Sequence, residues 1–304
     1  MNMEHRAEDI KNIENLEYKK NPKDTIIRKP EWLKIRLPHG KNIKEVVTLL
    51  NEYHLNTICS SGLFPNKAEC WGRKTATFMI GGNICTRNCR FCNVSHGKPL
   101  PIRESEITEI VTSIKNLGLR HVVLTSVDRD DLNDLGAGHW SKLIKTIKKE
   151  LPSVTIEALI PDFQGKKELI DLVIESKPDI ISHNLETVER LTHKVRTFAT
   201  YENSLSVVEH ITQSGIRSKS GIMLGLGETE EEIFQTMDDL LSTGCRIMTI
   251  GQYLQPSKNH YPVKEYIHPD KFEEYRQIGL RKGFRHLESG PFVRSSFHAD
   301  KHLS

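Results

Sequence analysis

Three cysteines within eight residues, Cys85, Cys89 and Cys92 in the run Ile84-Cys85-Thr86-Arg87-Asn88-Cys89-Arg90-Phe91-Cys92-Asn93, constrain this chain more than any other feature. Four-cysteine sets close a structural metal site, whereas three thiolates without a fourth nearby leave one metal position open. A four-iron cluster held in this way keeps one iron free for a substrate or cofactor, so the spacing points to chemistry at the cluster. A structural zinc site would pair two short Cys-x-x-Cys units, and a thioredoxin-like motif needs only two cysteines beside a βαβ pattern.

The three-cysteine motif, with Phe91 just before its last cysteine, resembles that of radical S-adenosylmethionine (SAM) enzymes. Further blocks narrow the resemblance to the lipoyl synthase family. They are Thr75-Ala76-Thr77-Phe78-Met79-Ile80, Thr125-Ser126-Val127-Asp128-Arg129-Asp130-Asp131, His183-Asn184-Leu185-Glu186, Lys219-Ser220-Gly221-Ile222-Met223, Gly225-Leu226-Gly227-Glu228-Thr229, Gly251-Gln252-Tyr253-Leu254-Gln255-Pro256 and Arg294-Ser295-Ser296-Phe297-His298-Ala299-Asp300. The likeness runs from about Lys29 to the C-terminus.

One position departs from the family pattern. Lipoyl synthases carry an auxiliary cluster on an upstream Cys-x4-Cys-x5-Cys motif, and here that stretch reads Cys59-Ser60-Ser61-Gly62-Leu63-Phe64-Pro65-Asn66-Lys67-Ala68-Glu69-Cys70. Phe64 stands at the middle position and has no lone pair to offer iron. The resemblance then implies a second [4Fe-4S] cluster on Cys59, Cys70 and a C-terminal serine, Ser296, with Ser295 as the other candidate.

Composition agrees with an enzyme of ordinary size. The 304 residues carry 43 Lys and Arg against 40 Asp and Glu, a net charge of +3, too balanced to argue for nucleic acid on charge alone, and no nucleic-acid partner is expected. Five of the six cysteines precede residue 93, a clustering expected in a reducing, cytoplasmic compartment where thiolates remain available to metal. Cys245, at a helix-to-strand junction, reads as a small buried filler. No signal peptide or membrane-length apolar run stands out.

Strand and helix patterns alternate in six βα units, the signature of a parallel sheet with right-handed crossovers. The expected fold is α/β, a partial parallel (β/α)6 barrel of the radical SAM type. Its parts are a flexible arm at 1–29, an extension at 30–73 carrying the auxiliary motif, the barrel at 74–284, and a C-terminal segment at 285–304 with the Arg-Ser-Ser motif. Trp32 and Leu33 are expected to staple the arm to the barrel. The informative blocks follow predicted strands, which places them at the C-terminal ends, where βα barrels do their chemistry.

What the resemblance implies is a sulfurtransferase. A [4Fe-4S] cluster on Cys85, Cys89 and Cys92 cleaves SAM to a 5′-deoxyadenosyl radical. That radical abstracts hydrogen from carbons six and eight of an octanoyl chain on a carrier lysine, and the auxiliary cluster supplies sulfur. Ser126, Asn184, Glu186 and Lys219 are the candidate SAM contacts, Lys219 as a cation for the carboxylate. Implied partners are octanoylated lipoyl domains of 2-oxoacid dehydrogenases or the glycine cleavage H protein, and an electron donor such as flavodoxin or ferredoxin, with no membrane. Asp128, Asp130 and Asp131 are expected to form a polar network with Arg129. The alternatives are a radical SAM protein impaired in sulfur insertion by Phe64, and a non-catalytic iron-sulfur binding protein.

Overall fold

Strand β1 (Thr75–Ile80) opens a parallel sheet, and two short paired strands, β2 (Ile84–Cys85) and β3 (Ser95–His96), frame the cysteine loop that follows it. This computed structural model describes residues 28–34 and 75–303. The sheet continues through β4 (His121–Ser126), β5 (Thr155–Leu159), β6 (Ile180–Ser182), β7 (Arg217–Leu224), β8 (Ile247–Gln252) and β9 (His286–Gly290). All seven long strands pair in parallel and in sequence order. The connecting helices are α1 (Glu106–Asn116), α2 (Ala137–Glu150), α3 (Lys167–Ile174), α4 (Glu189–Val195), α5 (Tyr201–Gln213), α6 (Glu230–Ser242) and α7 (Pro269–Lys282). The α/β class and the strand-helix alternation match the sequence reading, with one strand added. Strand β9 falls in the segment 285–304, where its polar residues and abrupt glycine end hide the strand pattern.

Local chemistry explains the boundaries. Trp140, Leu143, Ile144 and Ile147 give α2 one buried stripe at helical spacing. The helix begins before Trp140 because the Asp134 carboxylate accepts from Gly136 N and Gly138 N. A reciprocal capping box of Thr229 and Glu232 starts α6, and Pro269 starts α7. Near the N-terminus, Leu33 is buried and the Trp32 ring meets His268 edge-on at 6.1 Å, as the expected staple requires. The remainder of the arm, and Cys59, Phe64 and Cys70 of the extension, lie outside the described residues. Among the described residues no helix is long and apolar enough to cross a membrane.

The two faces of the sheet differ in chemistry. Phe78, Val122, Leu124, Ile156, Ala158 and Ile181 pack outward against the helices in one apolar cluster, and Ile222, Leu224, Met248, Ile250 and Leu287 do so in another. Strand alternation turns Glu157, Ser182, Lys219, Gly221, Thr249, Gly251 and Glu288 the other way, into the lumen. The C-terminal segment descends along this inner face. Arg294 lies over Gly251, His298 reaches Glu288 at 3.3 Å, and the ring of His302 meets that of His286 at 5.6 Å. The 3-10 turn Ala299–Leu303 thereby closes the lumen near the strand beginnings.

Burial here makes the fold acid-sensitive. His302 is 1% exposed with neither ring nitrogen hydrogen-bonded, and burial, followed by Lys219, His286, His121 and His298, pulls its pKa down to about 2. A group depressed in the folded state contributes stability above its unfolded pKa of about 6.5 and loses it as pH falls toward the folded value. Between pH ~6.5 and ~5 this amounts to at most roughly 1.4 kcal/mol per pH unit. Urea midpoints measured across that range should fall more steeply for the native chain than for His302→Gln; equal slopes would contradict the buried neutral ring.

Candidate active site

The cysteine loop leaves the end of β1, at the C-terminal rim of the sheet. Cys85, Cys89 and Cys92 are free thiols, each partly buried. Every sulfur faces at least one backbone N–H: Arg87 N at 3.4 Å and Asp128 N at 3.3 Å for Cys85, Thr197 N for Cys89, and Val94 N for Cys92. Burial pushes the Cys85 and Cys92 thiols up to about 12 and raises Cys89 as well. Inward-facing N–H groups suit an anionic sulfur, while burial outweighs them and keeps the thiols protonated, so metal binding here releases protons. Among the described residues no three His, Cys, Asp or Glu side chains converge on a single metal ion. A multi-iron cluster takes one iron per thiolate, so the donor set fits it without such convergence.

Arg87 anchors the loop. Its guanidinium donates to Asp130 at 2.8 Å through two nitrogens, reaches Asp162 at 2.8 Å and Asp128 at 3.3 Å, and lies 4.5 Å from the Phe198 ring centre. Burial opposes the Arg87 charge, but the carboxylates outweigh it and raise its pKa. In return, Asp130 is held down to about 2 against its own burial. Asp128, which accepts from the Cys85 thiol at 3.6 Å, is raised, chiefly by burial. Arg129 pairs with Asp131 at 2.8 Å and donates to Gly81 O at 2.9 Å. A polar network is therefore present, but in two parts: Arg129 with Asp131, and Arg87 with Asp128, Asp130 and an added member, Asp162, from the end of β5.

The end of β6 supplies the opposite wall. Glu186 has φ 69 and bridges to β7, its N–H donating to Gly221 O at 3.0 Å. Its carboxylate accepts from Asn184 Nδ2 at 3.1 Å, and burial raises its pKa. Asn184 Oδ1 is buried with no hydrogen-bond partner among the described residues, an acceptor available to a bound donor. Arg196 ties this turn to α5 through Ser204 Oγ at 2.8 Å and Asn184 O at 3.2 Å. Ser126 ends β4 with its hydroxyl accepting from Trp140 Nε1 at 3.3 Å. His260 Nε2 donates to Cys92 O at 3.0 Å and holds the last cysteine against the loop after β8.

One expectation changes. Lys219 sits low in the lumen, 1% exposed, with its ammonium 2.9 and 3.0 Å from the Glu157 oxygens, and Ser182 Oγ donates to the same carboxylate at 2.9 Å. A cation committed to the buried Glu157 carboxylate, at the middle of β5, is not free for a SAM carboxylate, so the carry-over to Lys219 does not hold. Gly225, with φ 94, is where Gln252 Nε2 and Glu265 O press against the backbone and a Cβ would collide, so close packing already requires it. The Glu228 carboxylate closes this turn by accepting from Gly225 N and Leu226 N. Ser296 is 3% exposed between β9 and the 3-10 turn.

The Radical SAM superfamily model matches residues 79–240, more than half of the chain. The sequence is 58% identical over 277 residues to a lipoyl synthase of Phocaeicola vulgatus, covering 91% of this chain and 98% of that protein. It is 59% identical to that of Treponema denticola, covering 91% and 95%. The chain belongs to the lipoyl synthase family. As a member of that family it is a radical SAM sulfurtransferase, works with [4Fe-4S] clusters and SAM, and acts on lipoyl domains with electrons from a donor. Solved structures agree on the fold alone. Streptococcus suis SuiB bound to precursor peptide SuiA superposes with TM-score 0.57 at 12% identity, over 99% of this chain and 63% of that one. HydG, a maturase of the [FeFe]-hydrogenase, gives 0.55 at 13% identity, over 85% and 70%.

Proposed function

We propose that the rim above Cys85, Cys89 and Cys92 is where hydrogen is abstracted from C6 and C8 of an octanoyl chain on a carrier lysine, before sulfur is inserted at both carbons. The observation that carries this is the set of three free thiols, each aimed at backbone N–H groups and grouped at the strand ends of a parallel α/β sheet. A [4Fe-4S] cluster on them, with SAM at its open iron, supplies one-electron chemistry for bonds that acid-base catalysis cannot open.

The chain's own residues orient and enclose. Arg87 and its three carboxylates hold the cysteine loop against β4 and β5, so the thiols stay in place while substrate exchanges. The free Asn184 Oδ1 accepts from the SAM ammonium or ribose, and Glu186 accepts from the other polar group of the same molecule. Ser126, at the end of β4, keeps its hydroxyl against Trp140 Nε1. The lysine tether crosses the rim, and the octanoyl chain reaches the thiols from it. Octanoylated lipoyl domains of 2-oxoacid dehydrogenases or the glycine cleavage H protein are the carriers, and flavodoxin or ferredoxin the donor.

Sulfur is assigned to an auxiliary cluster on Cys59, Cys70 and Ser296, which lacks the thiolate that Phe64 replaces. Such a cluster forms with one weak or exogenous ligand and is lost readily. Phe64→Cys should therefore raise chelator-resistant iron toward about eight per chain and increase lipoyl product on an octanoylated lipoyl domain. Iron analysis and product mass spectrometry read both. A native chain that makes deoxyadenosine but no lipoyl product, beside a productive Phe64→Cys, would show that this sequence has lost sulfur insertion.

A further inference from the structure

The cysteine loop lies in a part of the chain stripped of negative charge. Residues 84–103, 190–201 and 253–264 together hold nine Lys and Arg and no Asp or Glu, although the whole chain is nearly balanced at 43 against 40. These stretches meet around the cysteines. Gly97 N donates to Cys85 O at 2.9 Å, Arg90 N beside Cys89 donates to Val195 O at 2.9 Å, and His260 Nε2 donates to Cys92 O at 3.0 Å. Several of the cations are already committed: Arg87 to the carboxylates behind the loop, Arg103 to Glu109, and Arg190 to Glu232. Lys98, Lys194 and Lys258, one from each stretch, are exposed and make no ion pair among the described residues. Leu100 and Phe198, the two large apolar side chains exposed among the described residues at 76% and 51%, belong to the same stretches.

We propose that Lys98, Lys194 and Lys258, with the exposed Leu100 and Phe198 of the same stretches, form the docking surface for a small acidic one-electron carrier protein. The proposal rests on the assignment of Cys85, Cys89 and Cys92 as cluster ligands. The docked donor loses one electron and the cluster gains it, with no bond made or broken at the interface. Electron tunnelling falls steeply with distance, so the donor must come to the cysteine loop itself, and each lysine lies within a few residues of a contact with that loop. Unpaired lysines steer an acidic partner over long range, while two apolar contacts give only a small, weak interface, which suits a partner that must leave after each electron. A carrier domain delivering an octanoyl chain must instead stay docked through two abstractions.

The test uses anaerobic, cluster-loaded enzyme, native and with Lys98→Glu, Lys194→Glu and Lys258→Glu combined. Surface plasmon resonance reads binding to an immobilised acidic flavodoxin and, separately, to an octanoylated lipoyl domain, at about 50 mM and about 300 mM salt. Deoxyadenosine formation is driven by reduced flavodoxin or by dithionite. Flavodoxin affinity and the flavodoxin-driven rate should each fall about tenfold or more in the variant, and native affinity should fall with salt. The dithionite-driven rate and lipoyl-domain binding should hold within about twofold. A triple Lys→Gln variant should lie between. Unchanged flavodoxin binding and rate would overturn the proposal, as would loss of lipoyl-domain binding instead, which would assign the surface to the substrate. Native enzyme that cleaves no SAM with dithionite would refute the cluster assignment itself.

Discussion

Cys89→Ala should abolish SAM cleavage. Cys89 is the middle thiol of the loop, raised in pKa mainly by burial and met by Thr197 N–H and the Arg196 charge, so it is placed for an iron that solvent ligands reach poorly. Removing it leaves two thiolates for a site that already has one iron open. Iron bound at this site should drop from about four per chain, the reduced-cluster EPR signal should vanish, and deoxyadenosine should fall below detection. Circular dichroism should be unchanged, because the loop is held by Arg87, Arg90 and His260 rather than by the thiol. Cys245→Ala is the matched control. That thiol is 0% exposed and points to Ser218 O and Ile247 O on the barrel wall, so its loss should cost a little stability and no cleavage. Retained deoxyadenosine in Cys89→Ala would refute the ligand assignment.

Lys219→Met should be the most destabilising of the substitutions considered. It strands the Glu157 carboxylate in the lumen with Ser182 as its remaining donor, and breaking a buried pair from one side costs about 3–5 kcal/mol. Replacing both partners, as Lys219→Met with Glu157→Leu, should recover most of that loss, because two apolar side chains of similar volume avoid the desolvation penalty. Urea unfolding of the empty protein measures both. A single variant as stable as the native chain would mean that Lys219 is not committed to Glu157 and would reopen its role as a SAM contact.

The contrast between Cys89 and Lys219 marks how far residue pattern reaches. Both stood in motifs that match the family. For the cysteines, spacing alone carries the chemistry: three thiols in eight residues are close wherever the loop folds. For Lys219 the motif says that the residue matters but not which way it faces. In strand β7 its neighbours alternate, and one step of register separates an outward helix contact from the lumen. Depth along the strand then separates the ion pair with Glu157 from the contact with Glu186 two residues further on, at Gly221. The Asp128-Arg129-Asp130-Asp131 network was legible in part, because Arg129, the partner of Asp131, sits inside the motif. The part around Arg87 was not, since its partners come from three segments distant in sequence. The seventh strand escaped for a related reason: His286 and Glu288 face a lumen filled by the chain's own C-terminus, so they carry no apolar alternation.

By itself the sequence determined the cofactor class, the family, the α/β alternation and the rim on which the chemistry sits, because these depend on residue types at short spacing and on the order of strands and helices. Only the tertiary structure decided which polar residues face the reaction. It set Asn184 with a free acceptor at the rim and sent Lys219 to a buried pair below. It also gathered Lys98, Lys194 and Lys258 around one loop. The physical reason is that burial, ion pairing and surface charge are properties of segments brought together across the chain, and hydrogen-bond partners far apart in sequence leave no local pattern to read.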